Sequence, residues 1–364
     1  MTPTATRAMP TTRFTVGPSA TEPPEARGLA RDGVRLLVAR GDAPPVHGRF
    51  HELPAVLSPG DLVVVNTSDT EPAALPGSRA DGQPVLLHVS GPAPDGGLVV
   101  ELRTPDGRRV TDARAGEPVT LPAGVVATLG AGHPDASRST GSRLWWARLP
   151  VEGGLGPWLA ATGRPIRYPY VRVARPIEDY RTVFATPVPG EFASAETPSA
   201  GRPFTVAVLD GLRARGVGVV TLVLHTGVSS PGADETPLPE RFRVPAATAQ
   251  AVNAARARGG RVVAVGTTVT RALETAADTD GVVRAAHGWT DLTLGPNRPA
   301  RVVGGLVTGW HEPEASHLLL LEAVAGVELV GRAYAAAVER GYLWHEFGDS
   351  CLLLPARGFT RRAR

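Results

Sequence analysis

Residues 261–274 read RVVAVGTTVTRALE. The apolar run Val262–Val265 leads into Gly266, two threonines follow, and a helix-like spacing then begins. This is how a strand delivers a helix N-terminus to a ligand. If Thr267 or Thr268 caps the helix, the unpaired N–H groups of its first turn face the crevice beyond the strand. Aligned peptide dipoles there attract a carboxylate or phosphate. Arg271, one turn in, either grips a carboxylate or pairs with Glu274, three residues on. The stretch has neither the Lys of a phosphate loop nor the further glycines of a dinucleotide fingerprint.

Three other places hold residue types with chemistry. His225 ends the apolar run Thr221–Leu224 just before Gly227. Ligands bind beyond the strand C-termini of open α/β sheets, so His225 is either an acid–base or orienting group or a buried structural imidazole. Trp310 and His311 follow the strand-like Leu306–Thr308; an indole beside an imidazole suits a nucleobase or a sulfonium cation, or else a core Trp with a surface His. Asp349 precedes the apolar Leu352–Leu354 as a turn residue or a ligand-binding carboxylate. No metalloprotease, nucleophile-elbow, Walker or paired-Cys motif occurs, and a metal site has no support.

All 38 Lys+Arg residues are arginines, which excludes lysine Schiff bases and lysine general bases. The net charge of +3 permits a local basic patch without marking a nucleic-acid protein. The single cysteine, Cys351, excludes an internal disulfide and fits a reducing, cytoplasmic setting. The N-terminus lacks the apolar core of a secretory signal, and no run of about 18 apolar residues predicts a membrane span.

The elements that must position these residues fall into two textures. Strands are expected at 34–38 and 61–66. From 74 to about 150, short β-like runs at 84–89, 98–102 and 144–149 alternate with turns and have no helix between them, which predicts a small barrel or sandwich. Trp145 and Trp146 lie on alternate faces, so at most one enters its core. Residues 130–142 read as a mobile loop. After about 165, helices (205–215, 246–258, 268–277, 315–325, 331–341) alternate with strands (217–225, 261–265, 301–303, 352–354). The fold class is α/β: a mostly parallel sheet flanked by helices with an inserted all-β barrel-like domain. Residues 1–73 and 165–364 form the discontinuous α/β domain, with 1–30 loosely ordered, and 74–164 form the insertion.

Read in order, these pieces resemble one family, the S-adenosylmethionine:tRNA ribosyltransferase-isomerases of queuosine biosynthesis. The resemblance runs through Ser58–Asn66, Tyr168-Pro-Tyr170, Tyr180–Phe184, Pro198–Gly201 with Phe204, and Leu224-His225 with Gly227. It is strongest over Arg261–Glu274 and continues through Leu306–Thr308, His311, Pro313, Ala325-Gly326, Ala333-Tyr334 and Gly348-Asp349. It implies S-adenosylmethionine as cosubstrate, no metal, and transfer of the ribosyl carbons in place of the methyl group. The sulfonium acidifies the C5′ protons, a base removes one, and adenine leaves. The aminomethyl group of a 7-deazaguanine in tRNA attacks, and ring closure expels methionine. The implied cofactor-binding set is Asn66, Gly266, Thr267, Thr268, Arg271, Glu274 and Trp310. The implied catalytic set is His225, His311 and Asp349.

Several positions depart from the family pattern. Thr67-Ser-Asp69 and Ala74 stand where the family carries arginines, Pro203 replaces a histidine, and Gly304 replaces an aspartate. The loop Val228–Pro239 is shortened, and Trp310, Glu312 and Leu343–Phe347 also differ. Lost cations weaken phosphate binding. Three readings follow: a tRNA-modifying enzyme, a paralogue using S-adenosylmethionine on a small-molecule acceptor, or a non-catalytic binding protein.

Overall fold

The computed structural model describes residues 9–188, 190–229, 238–295, 297–313 and 315–356. A nine-stranded sheet forms its centre. Gly218–Leu224, Leu62–Asn66, Val262–Val265 and Gly305–Thr308 run parallel side by side. Both margins turn antiparallel. Glu240–Val244 and Ala286–Thr290 extend one side. On the other, Ser350–Leu354 pairs antiparallel with Gly305–Thr308 and parallel with Arg35–Arg40, which Val46–Arg49 closes as a hairpin.

The central strands are apolar throughout because helices cover both faces. Leu62, Val64, Val262, Ala264 and Leu306 point into one core, beneath the helices Ala246–Ala257, Gly266–Thr275, Ser316–Ala325 and Val327–Glu339. Their alternates Val63, Val65, Val263, Val265 and Val307 point into the other, beneath Val206–Ala214. The period of two along each strand assigns the faces.

The chain leaves the sheet after Asn66 and builds a closed antiparallel barrel from Ala74–Arg79, Pro84–Pro92, Leu98–Arg103, Leu144–Arg148, Val126–His133 and Pro118–Thr120. It has its own core, which takes in Trp145 and also Leu159 of the helix Leu155–Thr162. Trp146 lies at its margin, edge-on to His133.

Three local expectations change. The strand expected at 301–303 lies instead at Gly305–Thr308, and residues 301–303 bend so that their N–H groups converge on the Glu274 carboxylate. Residues 9–30 are held in place: the N–H groups of Thr11 and Thr12 donate to Glu322, and Ala20 is buried. Residues 1–8 of that segment lie outside the described residues, as do 230–237 of the shortened loop. Residues 130–142 begin as the end of the strand Val126–His133.

Candidate active site

Beyond the C-terminal ends of the parallel strands lies a cavity of about 530 Å³. This is the size of a pocket for a nucleoside-sized ligand. Distant stretches of chain meet in it: the connection returning from the barrel (Pro165–Ala200), the turn Gly266–Thr268, the segment Thr308–His317, and His345-Glu346.

The turn at Gly266 needs its glycine. Its φ is +89°, and a Cβ there would lie 3.3 Å from Ala200 Cβ. The helix starts at Gly266 itself with no side-chain cap, so neither Thr267 nor Thr268 serves as one. Thr268 Oγ1 is buried and has no hydrogen-bond partner among the described residues. First-turn N–H groups and an unspent hydroxyl therefore border the cavity together.

Arg271 also lines the cavity, yet its guanidinium is committed. It pairs with Glu240 and donates to the carbonyls of Leu292 (3.1 Å) and Thr290 (3.1 Å). Burial raises the Glu240 pKa, and the Arg271 charge opposes that rise. The alternative pairing of Arg271 with Glu274 does not form. Glu274 turns away from the cavity to accept N–H bonds from Arg301, Val302 and Val303.

His311 lines the cavity, with Nε2 3.0 Å from Thr308 Oγ1 and its ring stacked on His317 at 4.7 Å between centroids. Burial holds His311 well below the ordinary imidazole range and lowers His317 to about 4. Both rings are neutral at pH 7, and each stays neutral in relaying a proton if it takes one on one nitrogen as it gives one from the other. Trp310 lines the cavity while its indole belongs to the core, edge-on to Tyr334 and Tyr342.

The remaining expected site residues sit elsewhere. His225 stands just outside the cavity, beside a small crevice, with Nδ1 2.8 Å from Ser68 Oγ; burial lowers its pKa to about 4. Asn66 bridges two parallel strands, its amide donating to Leu224 O and accepting from Leu224 N–H. Asp349 accepts from the N–H groups of Arg35 and Leu343 and pairs with the Arg35 guanidinium. Asn66, Glu274 and Asp349 are thus spent on the scaffold, because each terminates backbone groups that no strand or helix satisfies.

The cavity also holds residues that sequence reasoning did not single out as chemistry. Tyr168 and Tyr170 stack at 5.8 Å, and His345 stacks on Tyr170 at 4.0 Å. Tyr168 donates its hydroxyl to Glu196, and Tyr170 donates to Glu346 at 2.5 Å. The Tyr-Pro-Tyr spacing was the available signal: two aromatics flanking a proline place both rings on one extended side of the connection.

Comparisons with known proteins place the chain in a family. A family model described as "Queuosine biosynthesis protein" matches residues 14–353. An S-adenosylmethionine:tRNA ribosyltransferase-isomerase of Acidiphilium cryptum is 38% identical, over 89% of this chain and 93% of its own. One of Moorella thermoacetica is 35% identical, over 89% and 94%. A solved S-adenosylmethionine tRNA ribosyltransferase from Thermotoga maritima is 27% identical and aligns with a TM-score of 0.49, over 93% of this chain and 99% of its own. With nearly the whole chain matched by the family model, this protein belongs to the queuosine biosynthesis protein family.

Proposed function

We propose that the protein is an S-adenosylmethionine-dependent tRNA ribosyltransferase-isomerase, and that the 530 Å³ cavity is where the reaction occurs. The observation that carries this reading is the helix start at Gly266, where free N–H donors and the unpaired Thr268 hydroxyl border a nucleoside-sized space beside neutral imidazoles. The donor set fits the amino-acid end of the cosubstrate. First-turn N–H groups of Gly266–Thr268 and Thr268 Oγ1 suit its carboxylate. Arg271 acts at one remove, by fixing Glu240 and the 290–292 backbone. Trp310 shapes the floor as a core residue that reaches the cavity.

The bound sulfonium nucleoside supplies an activated ribosyl carbon and an acidified C5′ position. His311, neutral and hydrogen-bonded to Thr308, is the histidine placed to exchange protons in the cavity. His225 is held outside the cavity by Ser68, whose hydroxyl also meets that of Ser194. The partner class is a tRNA, as in the relatives' names.

Incubation with S-adenosylmethionine, with and without tRNA carrying an aminomethyl-deazaguanine, tests the reading by mass spectrometry. Adenine and methionine are expected only when that tRNA is present, with a matching mass gain on the tRNA. Absence of adenine under every condition would refute it. In the same assay, Thr268→Val should raise the KM for S-adenosylmethionine about tenfold, the worth of one hydrogen bond to a charged group.

A further inference from the structure

Four carboxyl side chains line the cavity: Glu196, Glu240, Glu312 and Glu346. Three are already occupied or outward. Glu240 is neutralised by Arg271. Glu196 accepts from the Ser229 N–H (2.9 Å), the Ser229 hydroxyl and Tyr168. Glu312 is exposed, with its carboxylate 3.5 Å from His345 Nε2. Among the described residues, Glu346 accepts one side-chain hydrogen bond, from Tyr170 to Oε2, which leaves Oε1 available.

The backbone invests strain to present this group. His345 has φ +72°, in the left-handed region that a non-glycine residue rarely adopts. A Cβ added at Gly348 would lie 2.4 Å from Leu343 O, so the turn is closed tightly on itself. His345 is clamped by its stack on Tyr170, whose hydroxyl holds its neighbour Glu346. Strain of this kind persists where the surrounding structure fixes a functional geometry.

Resting on the reading above, we propose that Glu346, steadied by the Tyr170 hydroxyl, is the carboxylate that takes the proton from the nucleophile attacking the ribosyl carbon. The nucleophile is the aminomethyl group of the reaction proposed above, and the wall suits its ammonium form: none of Glu196, Glu312 and Glu346 has an arginine ion-pair partner among the described residues. An ammonium gives one N–H proton to the Glu346 carboxylate. Its freed lone pair forms the N–C bond at the ribosyl carbon that adenine has already left with the electrons of its own C–N bond. Burial pushes Glu346 up to about 7, the Glu196 charge adds to the rise, and Tyr170 and Arg202 oppose it. Tyr170 stays protonated, since burial and the Glu346 charge raise its pKa further. Lowered to about 4, His345 is a neutral neighbour. A base poised near neutral pH transfers protons better than the deeply lowered imidazoles of His311 and His317.

The test compares wild type, Glu346→Gln and Tyr170→Phe with S-adenosylmethionine and aminomethyl-deazaguanine tRNA across pH 5.5–9. Glu346→Gln should bind S-adenosylmethionine within about twofold by calorimetry yet add the ribosyl mass to the tRNA about 100-fold more slowly. The acid limb of the wild-type profile, with its midpoint near 7, should vanish. Tyr170→Phe should keep that limb but move it upward, because a hydrogen bond to the ionised form is lost. A Glu346→Gln enzyme that retains the wild-type rate or the limb overturns the proposal. So does one whose S-adenosylmethionine uptake falls as far as its turnover. A wild type that releases no adenine overturns the underlying reading and this proposal together, whereas an active wild type beside an unaltered variant overturns this proposal alone.

Discussion

Arg271 illustrates how a residue can lie at the site and act only through others. Its guanidinium binds Glu240 and three carbonyls, and both ion-pair side chains are largely shielded from water. Removing one partner of a shielded pair leaves the other charged and unmatched. Arg271→Ala should therefore cost about 3 kcal/mol of stability in urea melts. The double replacement Arg271→Met with Glu240→Leu should recover much of it, because it leaves no buried charge. Equal losses in both would argue that packing, not charge, governs the position. From the sequence, Arg271 read as a clamp or as the partner of Glu274 because helical spacing is visible locally; Glu240, on a strand thirty-one positions earlier, is not. Tyr168, Glu196 and Glu346 were hidden for the same reason: their hydrogen bonds join segments distant in sequence.

At the scale of elements, the strand, turn and helix over 262–275 were legible, since an apolar strand buried on both faces and an amphipathic helix carry strong periodic signals. The two outer antiparallel strands Glu240–Val244 and Ala286–Thr290, of which only the latter is an edge, were not. ERFRV alternates charge with apolar residues and AHGWT carries almost no pattern; their pairing with each other and with Gly218–Leu224 defines them. The bend at 301–303 was likewise read as a strand because its valines suit one, whereas Glu274 claims its N–H groups. This carboxylate ties the Gly266–Thr275 helix to the approach of the next strand. Glu274→Ala strips the acceptor from those donors and should cost about 4 kcal/mol, read as a lowered Tm. Glu274→Gln keeps one oxygen for them and should lose less than half as much. A Tm unchanged in Glu274→Ala would mean that water replaces the carboxylate.

For the whole molecule, buried imidazoles set the response to acid. His225, His317 and His345 are lowered to about 4 and His311 further, all by burial. The unfolded chain takes up protons near pH 6.5 while the folded one does not, so this stability is present above about 6.5 and is lost as pH falls toward 4. Glu346 has the opposite sign. Its raised pKa favours the folded state below about 4.5, a contribution that fades as pH rises through about 7. With His88, also lowered to about 4, five histidines outweigh Glu346, the carboxyl with the largest rise among those that burial raises, so the Tm should fall between pH 6.5 and 4, more steeply in Glu346→Gln. A flat profile would contradict the assigned burial. We also propose residues 1–73 with 165–364 as one discontinuous domain and 74–164 as the insertion, in keeping with the barrel's separate core and its capture of Leu159.

The strand Ser350–Leu354 sits inside the sheet, with Gly305–Thr308 on one side and Arg35–Arg40 on the other. During synthesis it leaves the ribosome after all its neighbours, so the hairpin begun by Arg35 must wait, unjoined, for a wedge made last. His345 and Glu346 immediately precede that wedge. A nascent chain therefore acquires its reactive hollow only once this strand has emerged, and a message cut short by a few codons before it would yield a protein with no partial version of the activity.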